Sequence, residues 1–362
     1  MLYYLLYPLK DLWFGFNVFR YITLRAAMAS ITAFLISVLL GPVIIRMLSR
    51  LKIGEYPRKE FVEKLYELHK HKEGTPTMGG IIIILSILIS VLLWADLGNQ
   101  LIILCLISVL WLGIVGFIDD YIKLIKVKSL GLSATAKLTG QLILGVAIAL
   151  YLYFDPQIAT TLYVPFLKHA VINLGIFYIF FVVLVIVGTS NAVNITDGLD
   201  GLAVGCVSFI ALGYSIISYM TGHIKFSDYL NIYYLPGSGE LTVFCACLLG
   251  SCLGFLWFNS YPATVFMGDT GALPLGGAIG IVSVLIKKEI LLLIIGGIFV
   301  AEVLSVIIQV ASFKFYGRRI FLMSPFHHHF QLQGLREPKV TVRLWIVAVI
   351  LLLFGLATLK LM

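Results

Sequence analysis

Long apolar runs alternate with short polar segments along almost the whole chain. A membrane-spanning helix needs about 20 predominantly apolar residues, and about 17 is the short limit. Applied to this sequence, that length predicts ten spanning helices, at residues 22–47, 79–95, 100–118, 137–154, 173–190, 201–219, 241–258, 270–286, 290–312 and 342–360. An even number of spans places both termini on the same side of the membrane.

The composition supports this interpretation. Hydrophobic residues make up 60% of the 362 residues and charged residues only 12%, whereas soluble domains carry about 25% charged residues. The pattern contains no internal repeat, low-complexity tract or soluble domain, so we predict an all-α, polytopic integral membrane protein whose residues 1–362 form one domain. The five cysteines lie inside apolar runs without metal-ligand spacing, which favours a packing role over a disulfide or zinc site.

The distribution of basic residues predicts the orientation. Eighteen of the 26 Lys and Arg residues fall in one set of alternating loops and the helix ends beside them, at residues 48–78, 119–136, 191–200, 259–269 and 313–341. Cytoplasmic loops carry such an excess, so these loops are predicted to be cytoplasmic and both termini to lie outside, on the periplasmic side. The net charge of +8 indicates contact with anionic membrane lipid rather than nucleic acid, because no run of Lys and Arg is long enough for the latter.

Acidic and amide side chains gather on the same predicted face, although only Lys and Arg define the orientation. Carboxylate and amide oxygens are ligands of hard cations, and Mg²⁺ typically uses one or two carboxylates together with substrate phosphates. We therefore predict a Mg²⁺–phosphate site at the inner membrane surface. Its candidate residues come from three separate junctions between spans: Asp119 and Asp120; Asn191, Asn194, Asp197 and Asp200; and Asn259 and Asp269.

Some of these aspartates have a simpler explanation. Asp200 and Asp269 stand at the start of predicted helices, where an aspartate often serves as an N-terminal cap without any chemistry. Asp119 and Asp120 are harder to explain in that way, because they end a span where the helix dipole disfavours negative charge. In a helix their side chains diverge by about 100°, so we expect one to face a metal or substrate and the other to meet Lys123 or solvent.

Three further segments supply candidate contacts. "FNSYPATVFMGDTGA" (258–272) combines Phe266, a candidate stacking platform, with glycines at a helix start that can hold phosphate. "KEGTPTMGG" (72–80) resembles an anion-binding nest and matches no P-loop spacing. "SPFHHHFQLQG" (324–334) places three consecutive histidines in a cytoplasmic loop. Three such neighbours cannot all ligate one ion in regular structure, so contact with substrate is favoured over metal binding.

Glu302 is an ionisable residue inside the ninth predicted span, in the company of Ser305 and Gln309. Residues of this kind are functional candidates by default. We interpret Glu302 as structural, because it lies far along the chain from any cytoplasmic helix end.

Five motifs, in this order, closely resemble the phospho-N-acetylmuramoyl-pentapeptide transferase family: "GTPTMGG", "GFIDDY", "NAVNITDGLDGLA", "GFLWFNSYPATVFMGDTG" and "PFHHHFQ". The resemblance covers nearly the whole chain and places it in the polyprenyl-phosphate N-acetylhexosamine-1-phosphate transferase superfamily. It implies a ten-helix, usually dimeric, Mg²⁺-dependent enzyme of the bacterial inner membrane with an active site facing the cytoplasm. The implied reaction moves phospho-MurNAc-pentapeptide from UDP-MurNAc-pentapeptide to undecaprenyl phosphate, giving lipid I and UMP in peptidoglycan synthesis.

The same resemblance implies roles for individual residues. Asp269 is the implied Mg²⁺ ligand, and the implied catalytic residues are Asp119, Asp120, Asp269, His327 and His328. The implied substrate-binding residues are Lys72, Thr75, Lys123, Lys137, Asn191, Asn194, Asp197, Gly198, Leu199, Asp200, Asn259 and Phe266. Within this set, Gly198, Leu199, Asp200 and Phe266 resemble a uracil pocket. Gln331 departs from the family pattern, which usually has an acidic residue at that position.

Two other functions fit parts of the pattern. A sister transferase that uses UDP-GlcNAc would share the aspartates, but "HHH" and "GTPTMGG" favour the muramoyl-pentapeptide enzyme. A transporter or flippase usually holds its polar groups near the bilayer midplane in two related halves, whereas these aspartates cluster at one face. For Asp119 the residues leave three roles open: proton acceptor, covalent nucleophile, or organiser of metal and lysine.

Overall fold

The computed structural model describes residues 1–50, 72, 74–125, 131–155, 160–164 and 171–361. Eight of the basic residues lie outside these ranges: Lys52, Arg58, Lys59, Lys64, Lys70, Lys126, Lys128 and Lys168.

The described chain is almost entirely helical. It begins with α1 (Leu2–Leu6) and two 3-10 helices (Tyr7–Asp11 and Phe14–Arg20), and it ends with a third (Leu359–Leu361). The other helices are α2 (Ile22–Arg50), α3 (Gly80–Trp94), α4 (Gln100–Ile125), α5 (Ala134–Phe154), α6 (Phe177–Thr196), α7 (Leu202–Thr221), α8 (Ile224–Leu230), α9 (Gly239–Asn259), α10 (Asp269–Leu285), α11 (Glu289–Ile295), α12 (Gly297–Tyr316), α13 (Phe326–Leu332) and α14 (Glu337–Thr358). Strands β1 (Thr161–Tyr163) and β2 (Val171–Asn173) pair antiparallel, with Leu162 opposite Ile172.

The predicted all-α membrane fold is confirmed. Among the described residues, eight helices are long and apolar enough to cross a membrane, namely α2, α4, α5, α6, α7, α9, α12 and α14. Two other predicted spans coincide with shorter apolar helices, α3 with 15 residues and α10 with 17. The total of ten spans and the side of the termini stay predictions.

Three local features differ from the prediction. Helix α4 continues to Ile125 instead of ending at residue 118, because ion pairs within its last turns extend it beyond the apolar run. The predicted span 290–312 is two helices, α11 and α12, separated at Gly296. Glycine weakens a helix interior, and a second glycine follows directly. The β1–β2 pair was not predicted, since strands of three residues are too short to show an alternating pattern.

Helix α10 lies at the centre of the bundle, and all 17 of its residues are buried. It packs against α4 and α6. Glycine permits the close approach to α4, because a Cβ on Gly116 would lie only 2.2 Å from the backbone oxygen of Asp269. Small residues commonly serve this purpose in membrane helices, where close backbone packing drives association. The N-terminus of α10 is therefore fixed against the polar end of α4.

Candidate active site

Four helix ends that carry predicted site residues converge at one end of the bundle. Helices α4 and α6 end there, and α5 and α10 begin there. Asp119, Asp120 and Asp269 each offer one carboxylate oxygen, and these atoms all lie within 4.8 Å of one another. The structure thus brings together three of the five predicted aspartates.

Asp269 connects the members of this group. Its Oδ2 accepts hydrogen bonds from Nζ of Lys123 at 2.9 Å and from Nζ of Lys137 at 2.7 Å. Its Oδ1 accepts a hydrogen bond from Nδ2 of Asn194. The N-cap residue of α10 is Gly268, and Asp269 is the first residue of the helix. The explanation of Asp269 as an N-terminal cap is therefore wrong. We call these residues the carboxylate–lysine cluster: Asp119, Asp120, Lys123, Lys137, Asn194 and Asp269.

Both aspartates of α4 face this cluster, so the expectation that only one of them faces the site is wrong, whereas the expected contact with Lys123 is present. Asp119 is 2% exposed and Asp120 is 3% exposed. Lys123 places its Nζ 2.6 Å from Oδ2 of Asp119 and 3.3 Å from Oδ1 of Asp120. Positions three and four residues apart are neighbours on a helix surface, so one ammonium group reaches both carboxylates despite their divergence. Lys123 thereby compensates the negative charge at this helix end.

Asp120 also caps α10 from the neighbouring helix. Its Oδ2 accepts hydrogen bonds from the backbone N of Thr270 at 2.9 Å and from Oγ1 of Thr270 at 2.7 Å. Such an acceptor satisfies an N–H group that has no partner within its own helix. Gly268 has a φ of 70° and lies so close that a Cβ on it would stand 2.6 Å from Oδ2 of Asp120. A glycine is therefore required at this position.

A second polar group, which we call the Lys72 cluster, consists of Lys72, Asp200 and Glu337. The Nζ of Lys72 lies 2.6 Å from Oδ1 of Asp200 and 2.6 Å from Oε1 of Glu337. The same Glu337 oxygen accepts a hydrogen bond from the backbone N of Asp200 at 2.7 Å. Asp200 thus binds a lysine, and Gly201 is the N-cap of α7, so the capping explanation of Asp200 is also wrong.

The charge state of Lys72 follows from its two partners. Burial by itself lowers the pKa of the ammonium group, but attraction by Glu337 and Asp200 outweighs burial and raises the pKa above its ordinary value. Lys72 is therefore a buried cation at neutral pH.

The segment 260–268 runs from the end of α9 to the start of α10 and connects the two clusters. Phe266 places its ring centroid 5.7 Å from Nζ of Lys72. Asn259 anchors the segment, because its Nδ2 donates to a backbone carbonyl there at 2.9 Å. Its Oδ1 accepts from the backbone N of Gly201 at 3.1 Å, which ties the segment to the start of α7.

Three predicted residues take other positions. Asn191 donates through Nδ2 to Oε1 of Gln141 and to the backbone oxygen of Val187, both at 2.8 Å, and so ties α6 to α5. Asp197 is the half-buried C-cap residue of α6. Thr75 is half-buried in the segment before α3.

The three consecutive histidines of α13 turn to three different partners. His327 is buried, and its Nδ1 lies 3.1 Å from Oε2 of Glu302. His328 places Nδ1 2.9 Å from Oε1 of Gln331. The Nδ1 of His329 accepts a hydrogen bond from a backbone N–H at 3.1 Å. The three imidazoles thus have separate neighbours, and the amide oxygen of Gln331 supplies a contact at the position that departs from the family pattern.

Sequence reasoning missed two features of this region: the residue Glu337, and the contact of Glu302 with His327. Glu337 was detectable as an acidic residue in the predicted cytoplasmic loop 313–341, on the face that carries the aspartates. Glu302 carried the general signal of an ionisable group inside a membrane helix. Its distance along the chain from the site concealed the contact with His327.

The carboxylate oxygens of the carboxylate–lysine cluster are suitable ligands for a divalent metal ion. Its three carboxylates and two ammonium groups leave one net negative charge. Hard cations such as Mg²⁺ prefer oxygen ligands and combine one or two carboxylates with substrate phosphates. The residues that would hold the ion are Asp119, Asp120 and Asp269.

The fold and the site define a class of protein: a polytopic membrane enzyme whose acidic and basic side chains meet at helix ends. Residues 101–287 match the model of glycosyl transferase family 4. Residues 72–84 match signature 1 of phospho-N-acetylmuramoyl-pentapeptide-transferases. The first match contains the whole carboxylate–lysine cluster, and the second contains Lys72.

Bacterial proteins named phospho-N-acetylmuramoyl-pentapeptide-transferase are similar to this chain over its full length. The protein from Desulfotalea psychrophila is 52% identical over 362 residues, covering 100% of both chains. That from Citrifermentans bemidjiense is 50% identical over 360 residues, covering 99% of both. That from Thermodesulfovibrio yellowstonii is 50% identical over 364 residues, covering 100% of both. The chain therefore belongs to the phospho-N-acetylmuramoyl-pentapeptide-transferase family.

Proposed function

We propose that this protein transfers phospho-MurNAc-pentapeptide from UDP-MurNAc-pentapeptide to undecaprenyl phosphate, giving lipid I and UMP. The carboxylate–lysine cluster carries the proposal, since it gathers three carboxylates and two ammonium groups at helix ends, where a soluble nucleotide and a membrane lipid can meet. Membership of the family supports the same reaction. The Lys and Arg distribution supports a site facing the cytoplasm from the bacterial inner membrane, and the family resemblance supports a homodimer.

The reaction is a phosphoryl transfer. An oxygen of the lipid phosphate forms a bond to the β-phosphorus of the donor, while the bond from that phosphorus to the bridging oxygen breaks and UMP leaves. Such reactions depend mostly on positioning and charge stabilisation. Lys123 and Lys137 converge on the same oxygen of Asp269, at 2.9 and 2.7 Å. We assign them to the pyrophosphate, whose leaving oxygen gains negative charge as the bond breaks.

Asp269 is the principal candidate ligand for Mg²⁺, with Asp119 and Asp120 beside it. When bound, the ion would supply a positive charge that neutralises the pyrophosphate. Asp120 has one oxygen engaged by Thr270 and the other turned to Lys123, so it holds α10 in place while still facing the cluster.

Asp119 acts in this proposal as an organiser. A phosphate monoester has a second pKa near 6, so the lipid acceptor is largely dianionic at neutral pH and needs little help from a base. Both oxygens of Asp119 are engaged, Oδ1 by the backbone N of Leu132 at 2.7 Å and Oδ2 by Lys123 at 2.6 Å. These contacts favour a role in holding Lys123 over removal of a proton or covalent attack.

We assign the nucleotide end of the donor to the Lys72 cluster. Phe266 offers an aromatic face beside Lys72, and aromatic faces stack with planar rings such as uracil. The backbone N of Asp200 donates a hydrogen bond to Glu337, and this contact holds the turn that carries Asp200 at the cluster. The remaining proposed contacts of donor and acceptor are Thr75, Asn191, Asn194, Asp197, Gly198, Leu199, Asn259, His327 and His328.

Release of UMP by the purified full-length protein tests the proposed function. With undecaprenyl phosphate, Mg²⁺ and UDP-MurNAc-pentapeptide, we expect UMP and a lipid-linked product in equal amounts, and no UMP when the lipid is omitted. Equal or faster release from UDP-GlcNAc would identify the sister transferase instead. Absence of UMP release from both donors, combined with movement of donor or lipid across vesicles, would show a transporter.

A further inference from the structure

Glu302 lies within α12 and is 1% exposed. An ionisable group inside a membrane helix is costly unless it finds a partner. Its Oε2 lies 3.1 Å from Nδ1 of His327 and 3.4 Å from the backbone N of His327. Both side chains are 1% exposed, so this is a fully buried contact between α12 and the histidine-bearing helix α13.

The opposite nitrogen of the imidazole lies against Gly198. A Cβ added to Gly198 would stand 2.3 Å from Nε2 of His327, so the ring leaves room for glycine alone. Neither ring nitrogen of His327 has a hydrogen-bond partner among the described residues, which makes the contact with Gly198 one of packing. Gly198 belongs to the turn 197–200, whose Asp200 binds Lys72. His327 therefore joins Glu302 to the turn that we assign to the nucleotide.

We propose that Glu302 is a positioning residue that acts through His327 to hold the turn 197–200 in the conformation that binds the uracil end of the donor. This inference rests on the proposed function. Oε2 of Glu302 accepts a hydrogen bond from the backbone N of His327 at 3.4 Å and lies 3.1 Å from Nδ1, so the carboxylate fixes the position of this residue and its ring. Since Glu302 itself is buried, it influences the donor through His327 and the position of the turn.

A neighbouring cavity explains why removal of Glu302 would release the ring. Glu302 lines an apolar cavity of about 280 Å³ together with Phe326 and Phe330 of α13 and residues of α12 and α14. His327 does not line this cavity. Loss of the carboxylate would extend the cavity to the imidazole, and the ring would then have space to turn away from Gly198.

Steady-state kinetics of Glu302→Leu and Glu302→Gln test the proposal, with the donor varied at saturating undecaprenyl phosphate. Glu302→Leu is expected to raise KM for UDP-MurNAc-pentapeptide about tenfold or more, as losses of supporting contacts typically do, with kcat within about threefold. Inhibition by added UMP should weaken by the same factor. Glu302→Gln keeps an acceptor oxygen for the backbone N of His327 and should leave KM within about threefold of wild type.

Glu289→Leu is the matched control, because it removes another carboxylate that is only 2% exposed, at the start of α11. It should leave KM and UMP inhibition unchanged. Unchanged KM in Glu302→Leu, or a fall in kcat shared with Glu289→Leu at constant KM, would overturn the positioning role.

If Glu302→Leu does not fold, Gly198→Ala replaces it, since its methyl group displaces the imidazole. A normal KM in Gly198→Ala would overturn the proposal. A wild-type protein that releases no UMP refutes the proposed function instead.

Discussion

Individual side chains in this protein are placed by contacts with residues distant in sequence, and this limits what local pattern predicts. The pairing of Lys123 with Asp119 and Asp120 follows from helical spacing and was accessible in the sequence. The capping of α10 by Asp120 was not, because Asp120 and Thr270 lie 150 residues apart. From position alone, Asp269 was the expected cap of α10, but its carboxylate binds two lysines instead.

The role of Asp119 predicts a distinctive pH dependence. If Asp119 organises Lys123, Asp119→Asn should reduce turnover at every pH, because raising the pH cannot restore the missing charged oxygen. If it only removes a proton from the lipid phosphate, the loss should shrink as the pH rises past about 6, where that phosphate ionises unaided. A pH–rate profile decides between them, and recovery to within about tenfold of wild type at alkaline pH would refute the organiser.

Glu337 provides a second test at the residue scale. Glu337→Gln removes one of the two carboxylates that hold Lys72 and weakens the acceptor for the backbone N of Asp200. Because the Lys72 cluster is assigned to the nucleotide, we expect KM for UDP-MurNAc-pentapeptide to rise about tenfold while kcat changes by less than about threefold. Kinetics that show a large loss of kcat at unchanged KM would place Glu337 in the chemical step instead.

Helix ends position the site, and the apolar pattern locates helices better than it locates their ends. Hydropathy ends the third span at residue 118, but α4 continues through its charged turn to Ile125. This extension turns both aspartates toward the N-terminus of α10. Hydropathy also treats 290–312 as one span, because the break at Gly296 changes backbone geometry without changing polarity. Helix existence was therefore predictable, whereas the geometry at the ends depended on tertiary contacts.

The close approach of α4 and α10 predicts that Gly116 is essential. Gly116→Ala would place a methyl group 2.2 Å from the backbone oxygen of Asp269, which cannot move without shifting the helix. We expect destabilisation of about 1–3 kcal/mol, typical of overpacking, and loss of most UMP release. Gly188→Ala in α6 is the matched control, since a Cβ there meets nothing within 4 Å. Equal thermal stability and activity of the two variants would contradict the packing at the site.

The whole molecule brings distant segments to one end of the bundle. Because successive spans cross the membrane in alternating directions, the sequence predicted that aspartates at three junctions share one face. The structure brings Asp119, Asp120 and Asp269 together. Specific pairs were beyond that reasoning, because alternation does not determine which helices are neighbours. The ion pair of Lys72 with Glu337 joins residues 265 positions apart, and it depends on the packing of the folded bundle.

The orientation of the bundle is testable with single exposed cysteines, since all five native cysteines are buried and should react slowly. Ser260 is exposed at the site end, and Asp228 is exposed on α8 beyond the far end of α7. In intact cells, a membrane-impermeant maleimide should label Asp228→Cys directly. Ser260→Cys should be labelled only after the inner membrane is permeabilised. The reverse pattern would show that the site faces the outside.

UMP release by Asp269→Asn is the most direct test of the carboxylate–lysine cluster as the transfer site. The change removes one charged oxygen ligand and the partner of two lysines while keeping nearly the same size. Asp228→Asn makes the same chemical change at an exposed position away from the cluster and serves as the control. At saturating Mg²⁺ we predict a loss of about 100-fold or more for Asp269→Asn and less than about twofold for Asp228→Asn. Near-normal UMP release by purified, folded Asp269→Asn would contradict the assignment of the site.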